Sequence, residues 1–278
     1  MQELRQEYPL AGLLKIAGLA RSSFYYQQKL MRAIDKYASV KIRIRSIFAQ
    51  HRGRYGYRRI ALAIRREGTM INHKAVQRLM RDLGLKSRVR SKKYRAYHGE
   101  VGRAAPNVLE RQFKANRPNE KWVTDVTEFN VGGQRLYLSP ILDLYNGEIV
   151  AFETARRPLF RMIDGMLRRA FSRLGPHDRP ILHSDQGWQY RMPVYREALQ
   201  KQAVIQSMSR RGNCLDNAAM ESFFGTLKAE FYHLEQFRDL DELQAALRRY
   251  IRYYNHDRIK LKLGGLSPVE YRTRCEAA

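Results

Sequence analysis

The chain has 278 residues, is 44% hydrophobic and carries a net charge of +25. This length allows one large domain with one or two small ones, and the apolar runs are too short to span a bilayer. The N-terminus is not a signal-peptide pattern, because Glu3 and Glu7 come early and its apolar runs are short. We therefore expect a soluble, cytoplasmic protein.

The positive charge is concentrated in the first part of the chain. Residues 1–120 carry 28 lysines and arginines against 8 acidic residues, whereas residues 121–278 carry 24 against 19. A surface that serves only solubility does not explain this asymmetry. Basic surfaces bind polyanions and release their counterions, and no helix here shows the wide apolar face of a membrane-surface protein. We expect nucleic acid as the partner, and no membrane.

The two cysteines, Cys214 and Cys275, give neither a CxxC pair nor a zinc-finger framework. We interpret both as free thiols, with a single disulfide as the alternative.

Residues 9–28, PLAGLLKIAGLARSSFYYQQ, predict two short helices around a turn at Gly18. The spacing is typical of a helix-turn-helix, whose second helix enters a DNA groove. Any small helical hairpin would show the same spacing, so both interpretations stay open. Apolar residues at helical spacing predict one further helix over residues 33–50.

Residues 55–85 predict a second, more basic helical pair. Its helices cover residues 58–67 and 73–83, with Asn72 as an N-cap and Gly84 closing the second helix. The alternative is a solvated basic face without a ligand. The candidate DNA contacts on this pair are Arg58, Arg59, Lys74 and Arg78.

The following segment, KSRVRSKKYRAYHGEVGR at residues 86–103, is basic and polar. We interpret it as a strap that follows phosphates, with Lys92 and Lys93 as contacts. The periodicity then changes, which predicts a domain boundary near residue 115. The expected units are residues 1–50, 51–115 and 116–278.

The last unit alternates strands and helices. Strands are predicted at residues 121–129, 134–146 and 148–155, the last two joined by the hairpin signal NG at 146–147. Helix 158–175, strand 179–185, helix 192–202 and strand 203–209 follow. After a loop come helix 218–232, with Asn217 as its N-cap, and helix 240–258. This order predicts an α/β fold with a mixed sheet covered by helices.

Three acidic residues of this unit can converge. Asp125 is predicted within the first strand, Asp185 at the end of the fourth, and Glu221 in the first turns of the helix after the fifth. Convergent carboxylates repel each other unless a cation lies between them. Mg²⁺ prefers such oxygen ligands, and two ions can stabilise the attacking and leaving oxygens of a phosphoryl displacement.

The pattern alone leaves other assignments open. Rival carboxylates are Asp143, Asp216, Glu128 and Glu230. His183 could be a general base, or a histidine whose hydrogen bonds are satisfied within its strand. Gly187, just after Asp185, could allow the backbone or a substrate to come close.

Four segments together resemble a known family: WVTDVTEF, HSDQGWQY, MSRRGNCLDNAAMESFFGTLKAE and YYNHDRIKLKLGGLSPVEYR. They resemble the DDE transposases of bacterial insertion sequences, and most closely the OrfB proteins of the IS-three family, relatives of retroviral integrases. YGYRRI and RLMRDLGLKSR resemble the front half of that family. The resemblance covers most of the chain, but the chain lacks the His/Cys zinc domain of the retroviral relatives.

The resemblance implies a ribonuclease-H-like core with Asp125, Asp185 and Glu221 as a triad that binds Mg²⁺, or Mn²⁺ in its place, with two ions expected. It also implies a basic residue seven positions after the glutamate. Here this residue is Lys228, which falls on the same helix face as Glu221; a solvated lysine is the alternative. The start of the same helix can bind a phosphate, and the candidates around it are Arg210, Arg211, Asn213 and Asn217.

The resulting hypothesis is a bacterial, nucleoid-associated transposase that cuts the 3′ ends of an insertion sequence and joins them to target DNA. It would bind terminal inverted repeats and act as a homo-oligomer on paired ends. The resemblance also implies action as a fusion with an upstream reading-frame product, a form in which members of that family often work. The alternatives are a DNA-binding regulator with an inactive core and a nuclease that does not join strands.

Overall fold

A computed structural model describes residues 3–32, 35–88, 105–110, 112–210 and 214–276. The front of the chain is helical, as the sequence predicts. A turn at Gly18 separates the first two helices, and Asn72 caps the fifth by accepting a hydrogen bond from the Lys74 backbone N–H at 2.8 Å. The helices are α1 (Leu10–Ile16), α2 (Arg21–Arg32), α3 (Ala38–Gln50), α4 (Tyr57–Arg66) and α5 (His73–Asp82). Within the described residues, no helix has the length and apolarity needed to cross a membrane.

Helices α3, α4 and α5 share one apolar core, and together we call them the helical unit (residues 38–88). Ile44 and Ile47 of α3 pack there with Ile60 of α4 and Val76 of α5. Helix α3 therefore packs with the second helical pair.

The rest of the chain forms a six-stranded mixed sheet. Its strands are β1 (Lys121–Thr124), β2 (Thr127–Val131), β3 (Gln134–Asp143), β4 (Ile149–Ala155), β5 (Ile181–Ser184) and β6 (Ile205–Met208). Strand β3 pairs antiparallel with β1 and β2 along one edge and with β4 along the other. Strand β5 lies parallel to both β1 and β6. The predicted hairpin and the predicted mixed sheet are confirmed.

The prediction of a single first strand with Asp125 in its middle is wrong. The strand is interrupted at Asp125 and Val126, although β1 and β2 keep one register along β3, with Thr124 opposite Ile141 and Thr127 opposite Leu138. This register places Asp125 opposite Pro140. Proline has no N–H to donate to a ladder, which accounts for a break at this point.

Helices cover both faces of the sheet. On one face α6 (Phe160–Phe171) and α7 (Pro193–Lys201) bury Trp122 and Leu182, and on the other α8 (Ala218–Glu230) and α9 (Leu240–His256) bury Val123. Adjacent residues of a strand point to opposite faces, which explains why Trp122 and Val123 belong to different cores. The last helix, α10 (Pro268–Glu276), is held by Arg272, which donates to buried Asp143 at 2.8 Å.

The helical unit is docked on the segment that follows α9. The Tyr55 hydroxyl donates to the Asp257 carbonyl at 3.0 Å and accepts from the Ile259 N–H at 2.8 Å. Gly265 has φ +86°, and a Cβ at this position would lie 2.4 Å from Cδ2 of Leu62 in α4. A side chain at position 265 would therefore push the two parts of the molecule apart.

We predict that Gly265→Ala destabilises the docked helical unit more than Gly264→Ala does. Both glycines have positive φ, which costs a non-glycine residue about 1 to 3 kcal/mol, but a Cβ at Gly264 meets no atom within 4 Å. Urea unfolding of the two variants measures the difference. Adding Leu62→Ala should recover part of the loss only in Gly265→Ala, and equal losses without recovery would contradict the close packing.

Candidate active site

Two aspartates lie side by side at the ends of neighbouring parallel strands. Val123 of β1 is in register with His183 of β5, so the residues two further on, Asp125 and Asp185, follow the two strands at the same level. Neighbouring strands lie about 4.8 Å apart. The fold therefore brings together two carboxylates that are 60 positions apart in the chain.

The loop after β5 closes tightly around Asp185. Its Oδ1 accepts the Gly187 backbone N–H at 2.9 Å. A Cβ at Gly187 would lie 3.0 Å from that same Oδ1 and 2.6 Å from Nε2 of Gln189. Gly187 has φ −55°, so a preference for glycine here would come from the limited space beside Asp185 and Gln189 and not from an unusual backbone conformation.

Both aspartates resist ionisation. Burial, then the charges of Asp185 and Glu221, raise the pKa of Asp125 to about 8, against the Val126 backbone N–H and Lys228, which lower it. Burial also raises the pKa of Asp185, although the Gly187 N–H and Arg191 oppose this. A cation between the two carboxylates would favour their charged forms and so oppose both shifts.

Helix α8 supplies the other two charges that act on Asp125. Glu221 lies in its first turn and Lys228 in its last turn, and both influence the Asp125 pKa. Lys228 also places its Nζ 5.4 Å from the centre of the Phe129 ring. The predicted shared face of Glu221 and Lys228 therefore turns toward the aspartate pair.

Asn217 stands at the N-cap position of α8, but its side chain does not cap the helix as predicted. Its Nδ2 donates instead to the carbonyl of Thr124 at 3.2 Å. Asn217 is buried, and its Oδ1 finds no partner among the described residues. The side chain thus ties the start of α8 to the end of β1, directly before Asp125.

The donor set fits a hard divalent cation in its chemistry, since it consists of carboxylate oxygens. The two aspartates are in place, and the Glu221 charge acts less on Asp125 than that of Asp185 does. In the part of the chain that the structure describes, no three His, Cys, Asp or Glu side chains form a group that could hold a metal ion as they stand. Glu221 would have to come closer to the pair to act as a third ligand.

The rival carboxylates all have partners of their own. Asp143 binds Arg272 at 2.8 Å, Asp216 binds Arg210 at 3.0 Å, Glu128 binds Arg135 at 3.5 Å, and Glu230 binds Arg258 at 2.6 Å. Asp216 also accepts from Nδ2 of Asn107 at 3.1 Å. Each of these acids is thus used in an ion pair with an arginine.

Both ring nitrogens of His183 make hydrogen bonds to neighbouring serines, as the second interpretation of this residue predicts. Its Nδ1 lies 2.8 Å from the Ser207 hydroxyl and its Nε2 lies 3.0 Å from that of Ser209. Burial lowers its pKa to about 4. With both ring nitrogens engaged, His183 has no free nitrogen with which to act as a general base.

Apart from Lys228 and Asn217, the predicted DNA contacts fall into three groups. Arg58, Lys74 and Arg78 are exposed on the helical unit. Arg59 and Arg210 hold ion pairs, with Glu230 at 3.3 Å and Asp216 at 3.0 Å, respectively. Lys92, Lys93, Arg211 and Asn213 lie outside the described residues.

Sequence patterns did not single out Arg191, which stabilises the charge of Asp185. Its Nε and Nη1 are buried and make no hydrogen bond within the described residues. A basic residue six positions after an aspartate is too common a pattern to be recognised. Nor did the sequence show that Glu230 lies beneath the helical unit, because this contact depends on how the two parts of the chain pack.

Matches to family models cover most of the chain. Two integrase core domain models match residues 115–214 and 221–275, and an HTH-like domain model matches residues 35–93. These ranges contain Asp125 and Asp185 in the first match and Glu221 and Lys228 in the second. The predicted combination of an integrase-like core with a helical, HTH-like segment in front of it is therefore confirmed.

Three transposases of insertion sequences align with this chain along most of their length. The InsK protein of insertion sequence element IS150 of Escherichia coli (strain K12) is 57% identical over 274 residues, 99% of this chain and 97% of that protein. The transposase for insertion sequence element IS904 of Lactococcus lactis subsp. lactis (strain IL1403) is 33% identical and covers 82% of this chain and 91% of its own length. Transposase InsF for insertion sequence IS3A of Escherichia coli (strain K12) is 29% identical, with 99% and 97% covered.

Among solved structures, the HTLV-2 integrase catalytic core domain in complex with magnesium matches 56% of this chain and 98% of its own, at 17% identity and a TM-score of 0.46. The catalytic core domain of BIV integrase matches 57% and 97%, at 15% identity and a TM-score of 0.43. Because both the sequence identities and the TM-scores are low, the family assignment depends on the sequence matches.

We predict that stability falls as pH rises in protein freed of divalent cations by a chelator. The Asp125 pKa is about 8 in the folded chain and 3.8 ordinarily, so between these values the folded state holds a proton that the unfolded state has lost. The stabilisation from this proton is complete below the ordinary pKa of 3.8 and is lost as the pH rises through about 8. Urea unfolding across this range measures the slope.

The variant Asp125→Asn should flatten that slope and raise the free energy of unfolding at the alkaline end by at least about 1 kcal/mol, since one pKa unit corresponds to about 1.4 kcal/mol. Asp241→Asn is the matched control, because Asp241 is exposed in its pair with Arg156. A slope that Asp125→Asn leaves unchanged would contradict the raised pKa.

Proposed function

The chain belongs to the transposase family of bacterial insertion sequences, and we propose that it cuts the 3′ ends of such an element and joins them to target DNA, with divalent metal ions held by Asp125, Asp185 and Glu221. The polynucleotidyl transferase activity follows from the family. The metal dependence and the two reaction steps are the proposed part.

The in-register pair Asp125 and Asp185 is the observation that carries the proposal. Placing two half-buried acids side by side lowers the free energy of unfolding when no ligand is bound. Acids with such raised pKa values cluster at functional sites. Helix α8 adds a third acid, Glu221, and a positive charge, Lys228, on the face that acts on Asp125. Mg²⁺ or Mn²⁺, with two ions expected, would neutralise the carboxylates and the developing charge on the phosphate.

Both proposed steps are displacements at phosphorus. In the first, water forms a P–O bond at the end of the element and the element's 3′-oxygen leaves as a hydroxyl. In the second, that 3′-hydroxyl attacks a target phosphodiester and a target 3′-oxygen leaves. The chain's own contribution is to hold reactants in line and to place positive charge at the phosphate, for which Lys228 is the candidate side chain.

The helical unit would bind the terminal inverted repeats. Its exposed basic residues Arg58, Lys74 and Arg78 lie on α4 and α5, and the unit falls within the HTH-like match. Since the two ends of an element must be brought together, we propose a homo-oligomer on paired ends. A fusion with an upstream reading-frame product, as the family resemblance implies, is part of the same proposal.

The test is a cleavage and joining assay on labelled duplexes of the element's ends with Mg²⁺ or Mn²⁺. Wild-type protein should nick at the 3′ ends and produce joined strands. Asp185→Asn should lower both rates by at least about 100-fold, because the loss of one ligand oxygen disrupts a metal site, while end binding persists.

Asp241→Asn controls for the loss of an acidic residue and should react as wild type does. Cleavage that survives in Asp185→Asn would remove that residue from the site. Tight end binding by wild-type protein without any nick, including in the fused form, would favour the DNA-binding regulator.

A further inference from the structure

A buried acid connects the foot of α8 to the helical unit. Glu230, the last residue of α8, is 4% exposed. Its carboxylate accepts from Nη2 of Arg258 at 2.6 Å, from Nε of the same residue at 2.8 Å, and from Nη1 of Arg59 at 3.3 Å. The Tyr250 hydroxyl donates to it at 3.3 Å.

The backbone at this position is held as well. Nε of Arg54, itself 7% exposed, donates to the Glu230 carbonyl at 3.0 Å. Carbonyls in the last turn of a helix have no partner within the helix, and here a side chain of the helical unit supplies one. Arg54 and Arg59 thus bind both the main chain and the side chain of the same residue. We call Arg54, Arg59, Glu230 and Arg258 the foot cluster.

The foot cluster depends on contacts from separate parts of the chain. Arg54 and Arg59 belong to the helical unit, whereas Arg258 follows α9, one of the helices that cover the sheet. Burial raises the pKa of Glu230, but Arg258 and Arg59 lower it by more, so that the acid stays charged. Removing one partner of a buried ion pair strongly destabilises a protein. The docked position of the helical unit and the position of Glu230 therefore depend on each other.

Helix α8 transmits that position to the active site. Glu230 is nine residues after Glu221, about 13 Å along the helix axis, and two residues after Lys228. At the other end, Asn217 ties the helix to Thr124. Because α8 is one continuous helix, a displacement of Glu230 tilts it about the Asn217 contact and so moves Glu221, the acid that must come closer to Asp125 and Asp185.

We propose that Glu230 and Arg59 are positioning residues, which set the place of Glu221 and Lys228 according to how the helical unit is seated. The inference rests on the proposed function, since it assigns the helical unit to DNA ends and α8 to catalysis. Binding of an end by the helical unit would thereby affect the distance from Glu221 to the aspartate pair. Arg59 would then act through Glu230, and not as a DNA contact.

The experiment compares full-length wild type, Arg59→Gln, Glu230→Gln and the double variant. Four quantities are measured: the rate of end cleavage at saturating DNA, the affinity for the end duplex, the Mg²⁺ concentration that gives half the maximal rate, and amide hydrogen exchange in α8. We expect Arg59→Gln to slow cleavage at least about tenfold, since small misplacements of catalytic groups have large effects. The required Mg²⁺ concentration and the exchange rate in α8 should rise, and the affinity for the duplex should stay unchanged.

The double variant should cleave no more slowly than Glu230→Gln alone, because the two residues act through one contact. Arg52→Gln is the matched control: Arg52 also extends from the helical unit, but to Glu235, which lies outside α8, at 3.6 Å. It should change none of the four quantities. Arg59 is half-buried, whereas Glu230 is buried. We therefore expect Arg59→Gln to fold, and it tests the inference even if Glu230→Gln fails to fold.

Wild-type rates in both single variants would overturn the inference. A weaker affinity for the duplex with an unchanged cleavage rate at saturation would also overturn it, by showing that Arg59 contacts DNA. If wild-type protein itself does not cleave, the proposed function fails, and exchange in α8 still decides whether the foot cluster holds the helix.

Discussion

The parallel pairing of β1 and β5 is the constraint on which the site depends. It converts a separation of 60 positions into two carboxylates at the same level of one sheet. The register is fixed by the cores on both faces, because a shift by one residue would turn Trp122, Val123 and Leu182 to the wrong sides. The raised pKa values of both aspartates show the electrostatic penalty that the fold accepts for this placement.

The third acid is placed by different means. Glu221 depends on α8, whose start is tied to β1 by Asn217 and whose end is tied to the helical unit by Arg54 and Arg59. The aspartates therefore belong to a rigid sheet, whereas the glutamate belongs to an element that two parts of the molecule share. In a transposase this division would allow recognition of DNA by one part to influence chemistry in the other.

Local patterns predict much of this structure. Alternating apolar residues, the NG turn and the Asn72 cap predict the strands, the hairpin and the fifth helix, since each is decided by neighbours in sequence. The break at Asp125 escapes such patterns, because Pro140 interrupts the ladder from another strand. The role of the Asn217 side chain and the buried contacts of Arg59 and Glu230 escape them too, since all depend on packing between distant segments. For the same reason, the family resemblance is needed to choose Asp125, Asp185 and Glu221 among the acids.

Metal binding by the aspartate pair is tested most directly by a titration with Mn²⁺ followed by electron paramagnetic resonance, on wild type, Asp125→Asn and Asp185→Asn, with the end duplex bound. We expect wild-type protein to bind Mn²⁺ and either variant to lose most of this binding, because the two neighbouring carboxylates are shared ligands. Equal binding of Mn²⁺ by all three proteins would show that the aspartate pair does not hold the metal.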